Sequence, residues 1–177
     1  TTTFEEDIYT LDQIINDRGV KVDSEFIDKA ISLNTYNEEI LTKKLKNTTN
    51  IENIKSATQV KNYLLKKFNL KLDSLSKESI NKVITSTSDK SLIEFLNLRQ
   101  SLNKTSIKKY LSMNRSLTKD NTIKGLFQYY GANKTGRWSG RLVQVQNLPS
   151  TKLDNLDLAR SILKEKPTKE VYEILSI

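Results

Sequence analysis

Four of the chain's five glycines fall between Gly125 and Gly140, after a long stretch whose apolar residues keep helical spacing. Glycine inside a helix costs about 0.5–1 kcal/mol relative to alanine, so the cluster marks where helices give way to turns and close backbone approaches. Upstream, Ile8, Leu11, Ile14 and Ile15 repeat on one helical face, and Asp17-Arg18-Gly19 ends that helix, with Gly19 able to take a left-handed cap conformation. Asp23 is a good N-cap for a segment carrying Phe26, Ile27, Ala30, Ile31, Ile40, Leu41 and Leu45. Ser56-Ala57-Thr58-Gln59 has capping-box form and opens a helix with Val60, Leu64 and Phe68 inward. Ser76 caps another helix through Ile80, Val83 and Ile84, and a longer one begins near Asp89 with Leu92, Phe95, Leu96 and Leu102 in one stripe. These stripes are read as a helix-packed core with no chemistry of their own. Beyond them the period changes. Ile123 to Tyr130 reads as a strand, Gly131-Ala132-Asn133-Lys134 as a turn, and Leu142–Leu148 as a second extended piece ending at Pro149. The stretch from Leu156 to Ile177 looks helical again, interrupted before Pro167. The expected fold is mainly α, helical from about residue 8 to 118 and followed by a small β-hairpin near 123–148.

Composition removes many chemistries. With no Cys and no His there are no disulfides, no thiolate or imidazole metal ligands and no Ser-His-Asp triad. Oxygen-ligand metal sites, carboxylate pairs, lysine chemistry and non-catalytic binding remain. No apolar run approaches the roughly 20 residues of a membrane helix, so no membrane partner is expected. Thr1-Thr2-Thr3-Phe4-Glu5-Glu6-Asp7 is acidic where a secretory signal is basic and then apolar, which predicts a cytoplasmic protein.

Charge is concentrated. The chain has a formal net charge of +8. Residues 1–98 are close to neutral, with 14 basic and 15 acidic side chains, and residues 142–177 carry five of each. Between them, residues 99–141 hold ten basic side chains, four of them arginines, against one acidic residue, Asp120. A basic excess confined to one segment is the footprint of a polyanion such as a phosphate backbone, whose neutralisation releases condensed counterions. A solvated basic face is the plainer reading, and it accounts poorly for the arginines gathered there.

The most informative run is Thr135-Gly136-Arg137-Trp138-Ser139-Gly140-Arg141, followed by Gln144-Val145-Gln146-Asn147-Leu148-Pro149. Arginine supplies fixed, charge-assisted donors for phosphate or groove acceptors. Gly136 and Gly140 permit close backbone approach. Gln144, Gln146 and Asn147 offer neutral donors and acceptors suited to minor-groove bases and sugars. The run does not form a P-loop, because no Gly-Lys-Ser/Thr follows a glycine-rich loop.

Thr135-Gly136-Arg137 with Gln144-Val145-Gln146-Asn147-Leu148-Pro149 resembles the Thr-Gly-Arg…Asn-Leu-Gln-Asn-Ile-Pro motif of family A DNA polymerases. The form from Tyr130 to Arg141 is most similar to phage and prophage members. Gly19-Val20-Lys21-Val22-Asp23, the segment Asn53–Gln59, and Leu98-Arg99 with Lys104-Thr105-Ser106 resemble the family's thumb motifs in the same order. Trp138, Gly140 and Gln144 stand where the family usually has Leu, Ser and Asn.

The resemblance implies a thumb and the first part of a palm: residues 1–22 a leading helix at their junction, 23–118 the helical thumb, and 119–177 the beginning of an α+β palm. It implies primer–template DNA as partner. Arg137 then carries the main contact, with Thr135, Ser139, Arg141, Gln144, Gln146 and Asn147 around it, and Arg99, Lys104 and Lys108 lie against the duplex backbone. The family's paired palm carboxylates, which hold two divalent metals, and its fingers motif have no counterpart here. Mg²⁺ is therefore expected for a full-length polymerase but not in this chain, and the fragment alone is expected to be inactive. Asp154 and Asp157 are read as loop or helix-start residues. The alternative is a stand-alone, non-catalytic helical DNA-binding module.

Overall fold

A computed structural model of the chain describes residues 2–103, 107–148 and 153–175. Along it run α1 (Thr3–Arg18), β1 (Val20–Lys21), α2 (Ser24–Thr49), α3 (Ala57–Phe68), α4 (Lys77–Ser86), α5 (Lys90–Leu102) and α6 (Ile107–Arg115). They are followed by β2 (Thr122–Ile123), β3 (Phe127–Ala132), β4 (Arg137–Gly140), α7 (Leu156–Glu165) and α8 (Thr168–Leu175). The fold is mainly α with two small antiparallel strand pairs, as the apolar spacing predicts. Contacts divide it into two compact units, Asn34–Thr105 and Thr1–Leu33 with Ser106–Ile177. The division runs through α2 and ahead of α6.

The helical unit, Asn34–Thr105, begins its helices where capping residues stand. Ser56 accepts the Gln59 N–H at 3.4 Å, Ser76 the Ser79 N–H at 3.2 Å, and Asp89 the N–H groups of Ser91 and Leu92 at 2.9 and 3.2 Å. Each satisfies donors that the first helical turn leaves orphaned. The capping box at Ser56 closes by one arm only. The Ser56 N–H already donates to the Asn53 carbonyl, so Gln59 Oε1 accepts from the Asn53 N–H at 2.9 Å and pins the preceding loop. The apolar stripes converge on one core that includes Leu45, Val60, Leu64, Ile80, Leu92, Phe95, Leu96 and Leu102. Tyr63 packs at a tilt of 44° against Phe95, with ring centroids 4.9 Å apart. Each fully buried leucine contributes about 1.5–3 kcal/mol.

The second unit has a smaller core of Ile27, Met113, Ile123, Leu126 and Val143. Asp23 caps α2 as predicted, accepting the Phe26 N–H at 3.0 Å. Gly19 has positive φ, 67°, but its ψ of −168° is not that of a left-handed cap. The reason is the strand that follows: a Cβ on Gly19 would lie 2.6 Å from the Ile123 carbonyl oxygen and the Thr122 methyl, where β1 pairs with β2.

The predicted strand from Ile123 to Tyr130 is two strands, separated around Gly125, whose φ is 67° and whose N–H donates to the Asn16 carbonyl. β3 pairs with β4, matching Phe127 to Gly140, Gln128 to Ser139 and Ala132 to Arg137, with a bulge between Gln128 and Ala132. The turn comprises residues 133–136, slightly later than Gly131–Lys134. Leu142–Leu148 is not a strand. Leu142 and Gln144 have left-handed φ values of 53° and 51°, and Val145–Asn147 is a 3₁₀ turn, so Val143 reaches the core without entering a ladder. Among the described residues no helix is long and apolar enough to cross a membrane.

Candidate nucleic-acid interface

The predicted residues that gather do so on the β3–β4 hairpin and the 3₁₀ turn after it. Successive strand side chains point to opposite faces, so Arg137 and Ser139 share one face of β4 and Trp138 takes the other. Arg137 is exposed at the strand's start, with Thr135 exposed in the turn just before it. Thr135 Oγ1 reaches the Ala132 carbonyl at 3.4 Å. Ser139 is half-buried over Gly131, where a Cβ would come within 1.8 Å of the serine hydroxyl. Arg141 Nε donates to Gln128 Oε1 at 3.1 Å, which fixes one side of its exposed guanidinium and leaves the terminal nitrogens for a ligand. On the opposite face Trp138 meets Tyr129 edge to face at 5.4 Å.

The amides are held as tightly. Gln146 lies over Gly140, where a Cβ would meet its side-chain oxygen at 2.1 Å. Asn147 Nδ2 donates to Gln144 Oε1 at 3.2 Å, and Lys109 Nζ donates to the Asn147 carbonyl at 2.7 Å. Three non-glycine residues here, Tyr130, Leu142 and Gln144, have left-handed backbone, a conformation that packing must maintain against its intrinsic cost. The Tyr130 ring covers Gly136, whose φ is 65°.

Lys108 is exposed on α6 and, with Leu111, Ser112, Arg115 and Ser116, lines an open cleft of about 380 Å³. Lys108, Ser112 and Arg115 follow helical i, i+4, i+7 spacing, which places two cations and a hydroxyl on one face. Asp120, the one acidic residue of the basic stretch, accepts from Thr118 Oγ1 at 2.5 Å and Thr122 Oγ1 at 3.0 Å. Those hydroxyls hold its carboxyl below the usual range.

Arg99 is a correction. The expectation of a duplex-facing side chain fails on burial: the residue is 4% exposed. Its Nη2 donates to the Lys55 carbonyl at 3.4 Å, while Nε and Nη1 have no hydrogen-bond partner among the described residues. Burial pushes its pKa below the ordinary value. As folded, this guanidinium cannot meet a phosphate. Lys104 lies outside the described residues.

Sequence reasoning missed Gln128, Lys109, Ser112 and Arg115. Lys109 and Arg115 were counted within the basic excess, but nothing in the sequence paired Lys109 with Asn147 or Gln128 with Arg141.

No protein-family description matches the chain, and no solved structure does. A relative does: the DNA polymerase of Bacillus phage SP02 is 45% identical over 160 residues. The chain is similar to a phage DNA polymerase. The match takes in 90% of this chain but 24% of the phage protein, so the chain spans about a quarter of its relative's length.

Proposed function

We propose that this chain is a segment of a family A DNA polymerase, the thumb and the first part of the palm, and that it holds primer–template DNA. The observation that carries the reading is the clustering of Arg137, Ser139, Arg141 and the Gln144–Asn147 turn on one glycine-rich hairpin unit, in a chain similar to a phage DNA polymerase. Arg137 is the principal contact. Its guanidinium reaches minor-groove acceptors, which recur at equivalent places in all base pairs, so binding is nearly indifferent to sequence. Arg141, set by Gln128, and the amides of Gln144, Gln146 and Asn147 flank it, with Thr135 at the turn. Lys108 and Arg115 on α6 meet phosphates, as does Lys104. In the whole enzyme Mg²⁺ supplies charge neutralisation for nucleotidyl transfer. Among the described residues no three Asp or Glu come together, and Asp157 is paired with Arg160 at 3.3 Å. The segment's task is to bind and orient the duplex.

Fluorescence anisotropy with a primer–template duplex at several salt concentrations tests this. Arg137→Ala weakens binding by about 1–3 kcal/mol at every sequence, and Lys108→Ala lowers the salt slope by about one. Equal binding by Arg137→Ala at every salt concentration refutes the assignment. The 177-residue chain incorporates no nucleotide with or without Mg²⁺, and template-dependent primer extension by it alone would contradict that.

A further inference from the structure

The β3–β4 hairpin has a second face that the duplex contacts leave unused. Asn16 and Asp12 of α1 accept the N–H groups of Phe127 and Tyr129 at 2.9 Å, which closes the outer edge of β3 and leaves the ribbon's two faces. One face carries Gln128, Ser139 and Arg141. The other carries Trp138 and Tyr129, 38% and 37% exposed, with Tyr130 beside them at 54%. All three rings stand outside the core of Ile27, Met113, Ile123, Leu126 and Val143. They pack on one another instead. Tyr129 lies 5.4 Å from Trp138, edge to face, and 6.2 Å from Tyr130. In an edge-to-face pair the ring that offers its edge keeps both π faces clear of its partner. Tyr130 has left-handed backbone, φ 53°, a costly conformation that persists only where the surroundings fix it. Its ring over Gly136 does so, since a Cβ there would come within 2.9 Å of that ring. Contiguous exposed apolar groups rimmed by polar residues mark an interaction site.

We propose that the Trp138–Tyr129–Tyr130 face stacks the bases of an unpaired DNA strand, so that the hairpin takes duplex on its arginine face and single strand on its aromatic one. The proposal rests on the reading of this hairpin as a nucleic-acid interface. Charge selects the occupant. Between Asp120 and Asp154 the sequence has no acidic residue and five basic ones. Two of these, Lys134 and Arg137, are exposed at the turn beside the rings. A cationic rim next to aromatic rings is how single strands are held with little sequence preference: the cations follow the phosphates and the rings take the bases. An apolar protein partner would account for the rings and leave the cations without a role. Two carboxylates also border the face. Glu5 and Asp12, with Phe4, Tyr9, Gln128 and Tyr129, line an open cleft of about 270 Å³ between α1 and β3. They repel phosphate from that side, which leaves the Lys134–Arg137 side for the strand's backbone.

Trp138 is the only tryptophan of the chain, so its emission reports on this face directly. The 177-residue chain is titrated with an oligothymidine strand about 12 nucleotides long, with an abasic phosphodiester strand of equal length, and with a blunt-ended duplex. The thymidine strand quenches Trp138 saturably, and the other two leave its emission unchanged. In anisotropy with labelled thymidine strand, Trp138→Leu weakens binding about tenfold and Trp138→Tyr restores most of it, with blunt-duplex affinity the same in both. Equal quenching by the abasic strand overturns the proposal, because phosphate contact then suffices. So does binding of the thymidine strand with unaltered emission, and so does failure to bind it at low salt. Quenching by an arginine-rich peptide and not by the thymidine strand also overturns it, and assigns the face to a basic partner through Glu5 and Asp12. Where Trp138→Leu fails to melt cooperatively, the three titrations of the unaltered chain decide. Duplex affinity and its loss in Arg137→Ala are read separately. A failed duplex assignment abolishes duplex binding and leaves the quenching, whereas a failed stacking face does the reverse.

Discussion

The two units hold themselves together by different means, and each treats its arginine accordingly. Among the described residues, the helical unit packs eleven buried apolar residues into one core, whereas the hairpin unit has a central cluster of five. The hairpin unit adds polar ties at its seams: Asn16 and Asp12 to β3, Lys109 to the Asn147 carbonyl, and Lys164 to Asp23 at 2.6 Å. In the first unit Arg99 stands on the stripe Leu92–Phe95–Leu96–Leu102, so helical period carries it inward despite its charge. In the second, Arg137 follows a turn on a short strand and stays in solvent. Position within the period, not residue type, decides whether a cation is available to a ligand.

The sharpest way to break the comparison is to empty each unit's characteristic contact. Leu96→Ala removes a fully buried side chain and costs about 2–5 kcal/mol in urea unfolding. Trp138→Ala, on the exposed aromatic face, costs much less. If the two cost the same, packing does not distinguish the units.

Arg99→Met comes next and carries the opposite sign. The guanidinium is buried with two nitrogens unpaired among the described residues, and replacing such a charge by an apolar side chain of similar length raises stability by about 1–4 kcal/mol. A stability loss on Arg99→Met shows that the buried cation has a partner that balances it. The same variant sharpens the functional contrast: Arg99→Met leaves duplex affinity unchanged, whereas Arg137→Ala weakens it by about 1–3 kcal/mol.

Helices were legible because their signals are local. Asp23, Ser56, Ser76 and Asp89 each stand at a helix start, and the stripes behind them supply the core. Arg99 was set against the duplex by the resemblance alone, although the sequence shows its phase: it continues the stripe through Phe95 and Leu96. The hairpin was legible in kind but not in register. Its bulge and the left-handed backbone at Leu142 and Gln144 depend on packing by Val143 and on the amide of Gln146 over Gly140, contacts that no window of sequence displays. The loose alternation of Leu142, Val143 and Val145 imitated a strand for that reason. The candidate site was legible as a list of residue types, since glycine and arginine spacing survive without coordinates. Its supports, Gln128 for Arg141 and Lys109 for Asn147, come from strand register and from a different helix.

The smallest effect tests whether the polar ties of the hairpin unit contribute at all. Asp23 accepts from Lys164 and from the Phe26 N–H, and these two bonds, Lys164's first, hold its pKa below the usual 3.8. Lys164 is raised above its usual 10.5, chiefly by Asp23. The signs oppose each other across the pH range. A carboxyl depressed on folding contributes stability that is complete above its unfolded pKa and is lost as pH falls through the lower folded value. An amine raised on folding contributes stability complete below its unfolded pKa and lost as pH climbs through the higher one. The pair's contribution is therefore flat near neutrality and declines at acid pH below 3.8 and at alkaline pH above 10.5. Both side chains are partly exposed, and solvent screening keeps the pair weak. Asp23→Asn separates the ion pair from the cap. Asparagine still accepts the Phe26 N–H, so the variant loses the acid decline yet keeps most neutral stability, whereas Asp23→Ala loses about 0.5–2 kcal/mol at neutral pH as well. Urea midpoints measured from acid to alkaline pH read both effects. An Asp23→Asn profile that falls in acid as steeply as wild type assigns the acid loss to other carboxyls and leaves Asp23 only its capping role.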